Sequence, residues 1–402
     1  MDFYEENKRV LVKHFEGGAK NKKSLGLELE HFVVKKADKS AASYYESGGI
    51  EDVLKALSSF YDEKIYSDGH LAGLKRDKCL ITLEPAAQLE VSAGEFLTTE
   101  EIAAEYEKFR IEAEPILNAA GLELMLTGYQ PKSRVRELPL IPKLRYRMMD
   151  NYFASTGSRG INMMRGTAAT QVSVDYSSEA DFIGKFRLAN AITPLLAFIT
   201  DNAPVFEGEA ADKRMIRTYV WEDVDRDRSM FVPGALTKPD FGFGDYADYI
   251  LNAPAILVID GGGLRYTGGE KIRDIYGGRV MTEAEAEHVL SMFFPYVRLK
   301  SFIEIRMADS LPVPEAVALT ALAEGLFYGG TLAALVERFS TVTDDDAYAA
   351  FEELKQLGSE ACVYGAKATE LIDVLFDAAA TALNKRGAGR EKLLLPLSKR
   401  AK

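Results

Sequence analysis

Glu28 and Glu30, Gln88 and Glu90, Gln171, Ser173 and Asp175, and Glu304 and Arg306 share one arrangement: polar side chains two residues apart with Leu, Val or Ile between them. In an extended chain successive side chains leave on opposite faces, so each set shares a face. Leu27, Leu29, Leu89, Val91, Val172, Val174, Ile303, Ile305 and Met307 take the other. Side by side, these stretches would make a sheet with an apolar back and a front crowded with carboxylates. Crowded carboxylates repel and lose hydration, so a positive group belongs among them, and an all-oxygen set suits Mg²⁺ or Mn²⁺. A carboxylate-held Mg²⁺ is a common way to hold ATP phosphates. A water-facing antiparallel sheet would explain any one stretch. It would also mix Lys, Thr and both signs, whereas these four stretches carry five acids, two Gln, one Ser and one Arg.

The elements that must position these groups are strands at Gly26–Glu30, Ala87–Val91, Thr170–Asp175 and Phe302–Met307, with helical patterns between them. Thr98-Thr99-Glu100-Glu101 reads as a capping box opening a helix to Ala120. Ser178-Glu179-Ala180-Asp181 opens a second towards Thr200, and Thr282-Glu283-Ala284-Glu285 a third that ends near Phe294-Pro295. Half-polar strands without βαβ regularity favour an α+β fold, an antiparallel sheet with helices on one side and an open cleft on the other. Leu122 to Pro142 reads as strand and loop, and Val258–Tyr266 as a hairpin turning on Gly261-Gly262-Gly263. After Pro314 several helices are expected to about Asn384, then a basic, loosely held tail from Lys385. The expected organisation is a catalytic domain over residues 1–310 and a helical layer over 311–402 belonging to the same domain.

The 402 residues are 47% hydrophobic and carry a net charge of −12, which argues against nucleic acid or an anionic membrane as partner. Two cysteines, Cys79 and Cys362, supply neither a disulfide framework nor a zinc site. The N-terminus lacks a basic segment followed by an apolar run, and Ala189–Ile199 is too short to span a bilayer and contains Pro194. A soluble, cytoplasmic protein is the expectation. Gly17-Gly18-Ala19-Lys20-Asn21-Lys22-Lys23-Ser24 lacks the second glycine of a P-loop and precedes a strand. Gly261-Gly262-Gly263 opens no helix, so it is no dinucleotide fingerprint. His31 is expected on the apolar side of its strand and Cys79 in the core. Arg165 leads into the third strand, and Arg217 lies in the alternating run Ile216–Trp221; arginine gives planar, bidentate recognition of carboxylate or phosphate.

Seven stretches, in order, carry a resemblance. They are Gly-Leu-Glu-Leu-Glu-His-Phe at 26–32, Leu-Glu-Pro-Ala-Ala-Gln-Leu-Glu-Val-Ser at 83–92, Gly-Tyr-Gln-Pro-Lys at 128–132 and Arg-Met-Met-Asp-Asn-Tyr at 147–152. The others are residues 170–181, 221–228 and 298–309, which include Gln171, Trp221 and Glu304. From about Leu25 to Leu311 the chain resembles the glutamate–cysteine ligases of the plant-type branch also found in bacteria. The resemblance implies a glutamine-synthetase-like fold, a curved antiparallel sheet forming an open funnel with helices on its outer face. It implies ATP-dependent joining of the L-glutamate γ-carboxylate to the L-cysteine amine through a γ-glutamyl phosphate, the first step towards glutathione or a related thiol.

By the same resemblance Glu28, Glu30, Glu90 and Glu304 hold Mg²⁺ (or Mn²⁺), with Glu28, Glu304 and Arg306 catalytic. Gln171, Ser173 and Arg306 meet ATP, and Glu84, Gln88 and Arg217 line the amino-acid pocket. The chain departs from the pattern in three places. Arg165 stands one residue before the position, Gly166, where relatives carry Arg, and a one-residue shift on a strand flips the face. Ser173 stands where Asn is more usual, and the cysteine pair around the glycine hairpin is absent. Alternatives are a ligase with another amine acceptor, a phosphagen-type kinase, or a catalytically silent nucleotide-binding relative.

Overall fold

The computed structural model describes residues 2–400. Among them the largest sheet has nine strands: β1 (Leu25–Lys35), β2 (Glu63–Ser67), β3 (His70–Arg76), β4 (Cys79–Leu83), β5 (Leu89–Phe96), β6 (Leu122–Met125), β7 (Ala169–Val174), β8 (Val297–Leu299) and β9 (Ile303–Asp309). The order is β8-β9-β7-β1-β5-β4-β3-β2, with β6 beside the far end of β1. Every pairing is antiparallel. The four polar-faced stretches are therefore neighbours in space, β9-β7-β1-β5, although up to 276 positions separate Glu28 from Glu304 in the chain. Register places Glu28 opposite Gln171 on one side and Ser92 on the other, Glu30 opposite Glu90, and Glu304 opposite Ser173.

The apolar face is closed by helices. Helix α1 (Thr99–Ala119), opened by the expected capping box at Thr98, lies against β5 and β1. Between α1 and β7 come α2 (Leu144–Phe153) and α3 (Gly160–Gly166). After β7 come α4 (Glu179–Ile199), N-capped by Ser178, and the short α5 (Ile216–Trp221). Helix α4 packs on β9 and β8, and α6 (Val313–Tyr328) on β7 and β1. A second layer, α7 (Asp344–Leu357) and α8 (Ala368–Arg386), packs on α4 and α6. The outcome is the expected α+β architecture. Helix α4 spans the stretch that Ser178 was expected to open, and its most apolar window, of mean hydropathy 1.3, is 83% buried inside the protein. A helix apolar all round is the signature of a core helix.

Three expectations change. Ile216–Trp221 is a helix, not an alternating strand: its register is set by tertiary contacts, Asp201 Oδ2 accepting from Met215 N at 2.9 Å, and not by the local pattern. The helix opened by Thr282 stops at Leu290, because Phe294-Pro295 pairs in parallel with Ser229-Met230. The basic tail is tied down through Arg400. Arg390 donates to Glu324 Oε1 at 2.7 Å and to the exposed Glu100, and Leu397 is fully buried. Glu324 is a carboxylate with no exposure, so Arg390 and Arg386 supply the charge its burial requires.

Candidate active site

A cavity of about 350 Å³ opens on the polar face of β1 and β5. Glu28, Glu30, Glu84, Gln88, Glu90, Gln171, Arg217 and Arg306 all line it. Glu84 and Gln88 are placed by the tight turn after β4: Glu84 N–H donates to Gln88 O and Ala87 N–H to Glu84 O, both at 2.9 Å, with Ala87 at φ +69°. That left-handed residue is a local strain held at the rim of the cavity. The Gln88 amide is engaged by backbone at both ends, donating to Thr167 O at 3.1 Å and accepting from Ala86 N at 2.9 Å. Glu30 accepts from Ala169 N at 2.8 Å and from Gln171 Nε2 at 3.0 Å. Glu90 accepts from Thr82 Oγ1 at 2.7 Å.

Glu304 is placed differently. It has no exposure and is not on the cavity wall; one oxygen takes Arg298 at 2.6 Å and Arg306 at 2.7 Å, the other Lys300 at 2.9 Å. A register shift between Ile305 and Ala308 marks a bulge in β9 beside Arg306, the kind of irregularity that re-aims a side chain. Arg306 also donates to Gln171 Oε1, which links the Glu304 cluster to Glu30. Arg298 and Lys300 were not among the expected site residues. Their spacing around Leu299 has the same two-residue period, and Arg298 faces Glu304 across the β8–β9 ladder.

The electrostatics divide the acids into two kinds. Burial, then Glu304 and Glu90, raises Glu28 from 4.5 to about 7. Burial, then Glu84, raises Glu90 to about 7. Burial also raises Glu84, and together with Glu84 and Glu90 it pushes Glu30 well above the usual carboxylate range. Burial alone would raise Glu304 too, but Arg298, Lys300 and Arg306 hold it well below that range. Glu304 is thus a compensated anion, while the wall acids Glu28, Glu30, Glu84 and Glu90 share too little positive charge. Glu30 and Glu90 also sit directly opposite each other in the ladder, a like-charge pairing that destabilises a sheet unless something neutralises it. The donor set is all oxygen, and these residues fit a hard divalent cation.

Among the described residues, two guanidiniums on the cavity wall have no carboxylate partner. Arg217 donates to Met307 O at 3.0 Å and its buried Nε has no hydrogen bond. Arg145 donates to Ser291 O at 2.9 Å and Ser291 Oγ at 3.0 Å. The indole Nε1 of Trp221, also buried on this wall, is without a partner. Buried donors without acceptors are costly, so they mark where acceptor oxygens of a ligand belong. Arg145 and Trp221 were missed as site residues: each lies on a helix, where the alternation that picks out the strand acids does not apply.

Ser173 is not on this wall. It lines a neighbouring cavity of about 150 Å³ with Gly26, Phe302 and Ser301, joined to the main one at Glu28 and Ser92. Asp175 turns to Ser24, accepting from its N–H at 2.8 Å and from its hydroxyl. Arg165 lies in α3, so the strand argument about its face does not apply; it pairs with Asp150 at 2.7 Å. At Gly166 a Cβ would sit 2.7 Å from Tyr129 and Val135, which leaves no room for any side chain there. His31 is buried between Leu89 O and Tyr106 Oη, and Cys79 is buried, as expected of core residues.

The family described as glutamate-cysteine ligase family 2 (GCS2) matches residues 24–395. The chain is 32% identical over 331 residues to the chloroplastic glutamate–cysteine ligase of Nicotiana tabacum, covering 80% of this chain and 63% of that one. It is 33% identical to glutamate–cysteine ligase B of Oryza sativa subsp. japonica over 80% of this chain and 66% of that one. The chain thus spans a little under two thirds of the length of these curated relatives. A crystal structure of a glutamate–cysteine ligase from Francisella tularensis in complex with AMP superposes with a TM-score of 0.57 at 11% identity, covering 95% of this chain and 82% of that one. At that identity the likeness shows a shared fold.

Proposed function

The chain belongs to glutamate-cysteine ligase family 2, and from that premise we propose that it joins the γ-carboxylate of L-glutamate to the amine of L-cysteine at the expense of ATP. The observation that carries this reading is the pairing, in one cavity, of an under-compensated acidic wall with two unpaired guanidiniums. A carboxylate is a poor acyl donor. A γ-carboxylate oxygen attacks the terminal phosphorus of ATP, the bond to the bridging oxygen breaks, and ADP leaves. The amine then attacks the acyl phosphate carbon, phosphate leaves with the electron pair of the broken C–O bond, and the amine loses a proton.

Phosphoryl transfer asks the protein for positioning and charge neutralisation more than for a nucleophile. Arg306 is aimed by Glu304 and Gln171 towards the cavity and neutralises charge on the phosphoryl group in flight. Arg217 and Arg145 take up substrate carboxylates, one for each amino acid. Glu28, Glu30 and Glu90 would hold Mg²⁺ or Mn²⁺, which when bound would supply positive charge to screen the phosphate oxygens. We place the protein in a reducing cytoplasm, in keeping with its two unpaired cysteines.

Mg²⁺ binding to this wall sets a pH signature. Glu28 and Glu90 have native values near 7, above the ordinary 4.5. The native state therefore keeps protons that the unfolded chain releases, and the stability this gives is complete below about pH 4.5 and lost as pH rises through 7. The metal-free protein is expected to melt at lower temperature at pH 8 than at pH 6. Saturating Mg²⁺ should flatten that slope, and its binding at pH 7 should release protons. Calorimetric titration in two buffers of different ionisation enthalpy reads the release directly; binding with no proton release would remove these carboxylates as ligands.

The assignment is tested by ADP and phosphate release with Mg²⁺-ATP and glutamate, with and without cysteine, and mass spectrometry of the product. Cysteine-dependent release with a γ-linked dipeptide is expected. Release with 2-aminobutyrate or another amine but not cysteine would keep the ligase and replace its acceptor.

A further inference from the structure

Helix α5 divides the active cavity from the outside of the protein. Arg217 and Trp221, four residues apart, face the cavity. Tyr219, and Glu222 at the end of the helix, face away, onto two open depressions of about 570 and 820 Å³ that share Glu222 and Glu352. On that side the Tyr219 ring is flanked by Arg159, Lys213 and Phe206, and Arg214 donates to Gln356 O of α7 at 3.1 Å. Glu222 itself is met by Lys355 of α7: its Nζ lies 2.8 Å from both oxygens of Glu222 and 2.6 Å from Glu352. This is not a loose surface pair, since the side chains of Lys355 and Glu222 are only 15% and 20% exposed. At the other end α5 is held by Asp201, and the residue before it, Met215, adopts φ +55°, a strained left-handed conformation for a side chain of that size. Ile216 and Val220 bury the helix on its inner side, the Ser158 and Arg159 N–H groups donate to Asp223 just beyond its C-terminal end, and the Lys355–Glu222 contact ties that end to the second helical layer.

We propose that Lys355 is a positioning residue for Arg217: by clamping Glu222 it fixes α5 from behind and so fixes where the Arg217 guanidinium meets a substrate carboxylate. The inference rests on the proposed reaction. It also gives the second helical layer, which contributes no side chain to the cavity wall, a direct part in substrate binding. A displaced guanidinium weakens the contact with a bound carboxylate in ground state and transition state alike, which raises KM and leaves kcat alone.

The test compares Lys355→Met, Lys355→Arg and Glu222→Gln with the wild-type protein. For Lys355→Met the expected result is a KM for glutamate raised about three- to tenfold, with kcat and the KM for ATP within about twofold. Lys355→Arg, which can still bridge both carboxylates, should restore most of the KM. Combining Lys355→Met with Glu222→Gln should add little to either alone, because both break one contact. Hydrogen exchange supplies a readout that needs no turnover: amides of residues 216–222 should exchange faster in Lys355→Met while those of β1 and β5 do not. Unchanged exchange in α5 overturns the clamp. Faster exchange with an unchanged glutamate KM overturns its role in placing Arg217, as does a fall in kcat at constant KM. Absence of ligase turnover in the wild-type protein would overturn the proposed reaction instead, and the exchange of α5 would still decide the clamp.

Discussion

Glu304→Gln is expected to abolish turnover and to destabilise the fold by about 3–5 kcal/mol, the range found when one partner of a buried ion pair is removed. Glu304 is the common counter-charge for Arg298, Lys300 and Arg306. A neutral amide of the same size leaves three cations around one site with no anion, and Arg298 has only 9% side-chain exposure through which to find water. Repulsion would drive Arg306 off Gln171 and out of the position from which it meets the phosphoryl group. Urea denaturation and turnover measured on the same preparation check both halves. A variant of normal stability would mean that the three cations are satisfied elsewhere, and the account of the cluster given above would fail.

Glu28→Gln should do the opposite to stability while also removing activity. Glu28 is one of the wall acids raised by burial and by neighbouring acids, so an amide there relieves repulsion from Glu304 and Glu90. The metal-free variant is expected to gain about 1–2 kcal/mol in stability at pH 8, an advantage that vanishes as pH falls and the native acid takes up its proton. Turnover should fall by about 10²- to 10³-fold, the scale of losing one electrostatic contact made to the transition state. Gains in stability from removing a functional charge are the mark of a site strained for its task. Near-normal turnover in a folded Glu28→Gln protein would remove Glu28 from the mechanism. The contrast between two glutamates two strands apart on one sheet face follows from their neighbours alone: Glu304 sits among cations, Glu28 among acids.

The part of this arrangement legible in the sequence is the part governed by a period. Alternation gives the face of a strand, so Glu28, Glu30, Glu90, Gln171 and Arg306 could be assigned together and do line one cavity. Alternation does not give position along the strand. Ser173 shares a face with Gln171 yet opens onto the next cavity, because the antiparallel register sets it beside Gly26 rather than Glu30. Nor does a period reveal burial: Glu304 reads like the other acids, and only its cationic neighbours Arg298, Lys300 and Arg306 distinguish it. Arg217 and Trp221 are four apart, which satisfies a strand period and a helix turn equally; six residues are too few to decide between them, and the choice is made by Asp201 and the surrounding core. Arg145 and Lys355 are single charges on helices, and nothing in the sequence separates such residues from ordinary surface charge. The tail is held by Arg390 because Glu324 is buried, a fact that belongs to packing.

The claim at the centre of this account is that the site activates a carboxylate by phosphorylating it before an amine arrives. Glutamate carrying ¹⁸O in its γ-carboxylate, incubated with Mg²⁺-ATP and cysteine, tests it directly through the isotope content of the released phosphate. The account predicts one labelled oxygen in each phosphate formed, because the C–O bond of the acyl phosphate is the bond that breaks. Phosphate free of label, released in step with dipeptide, would contradict it.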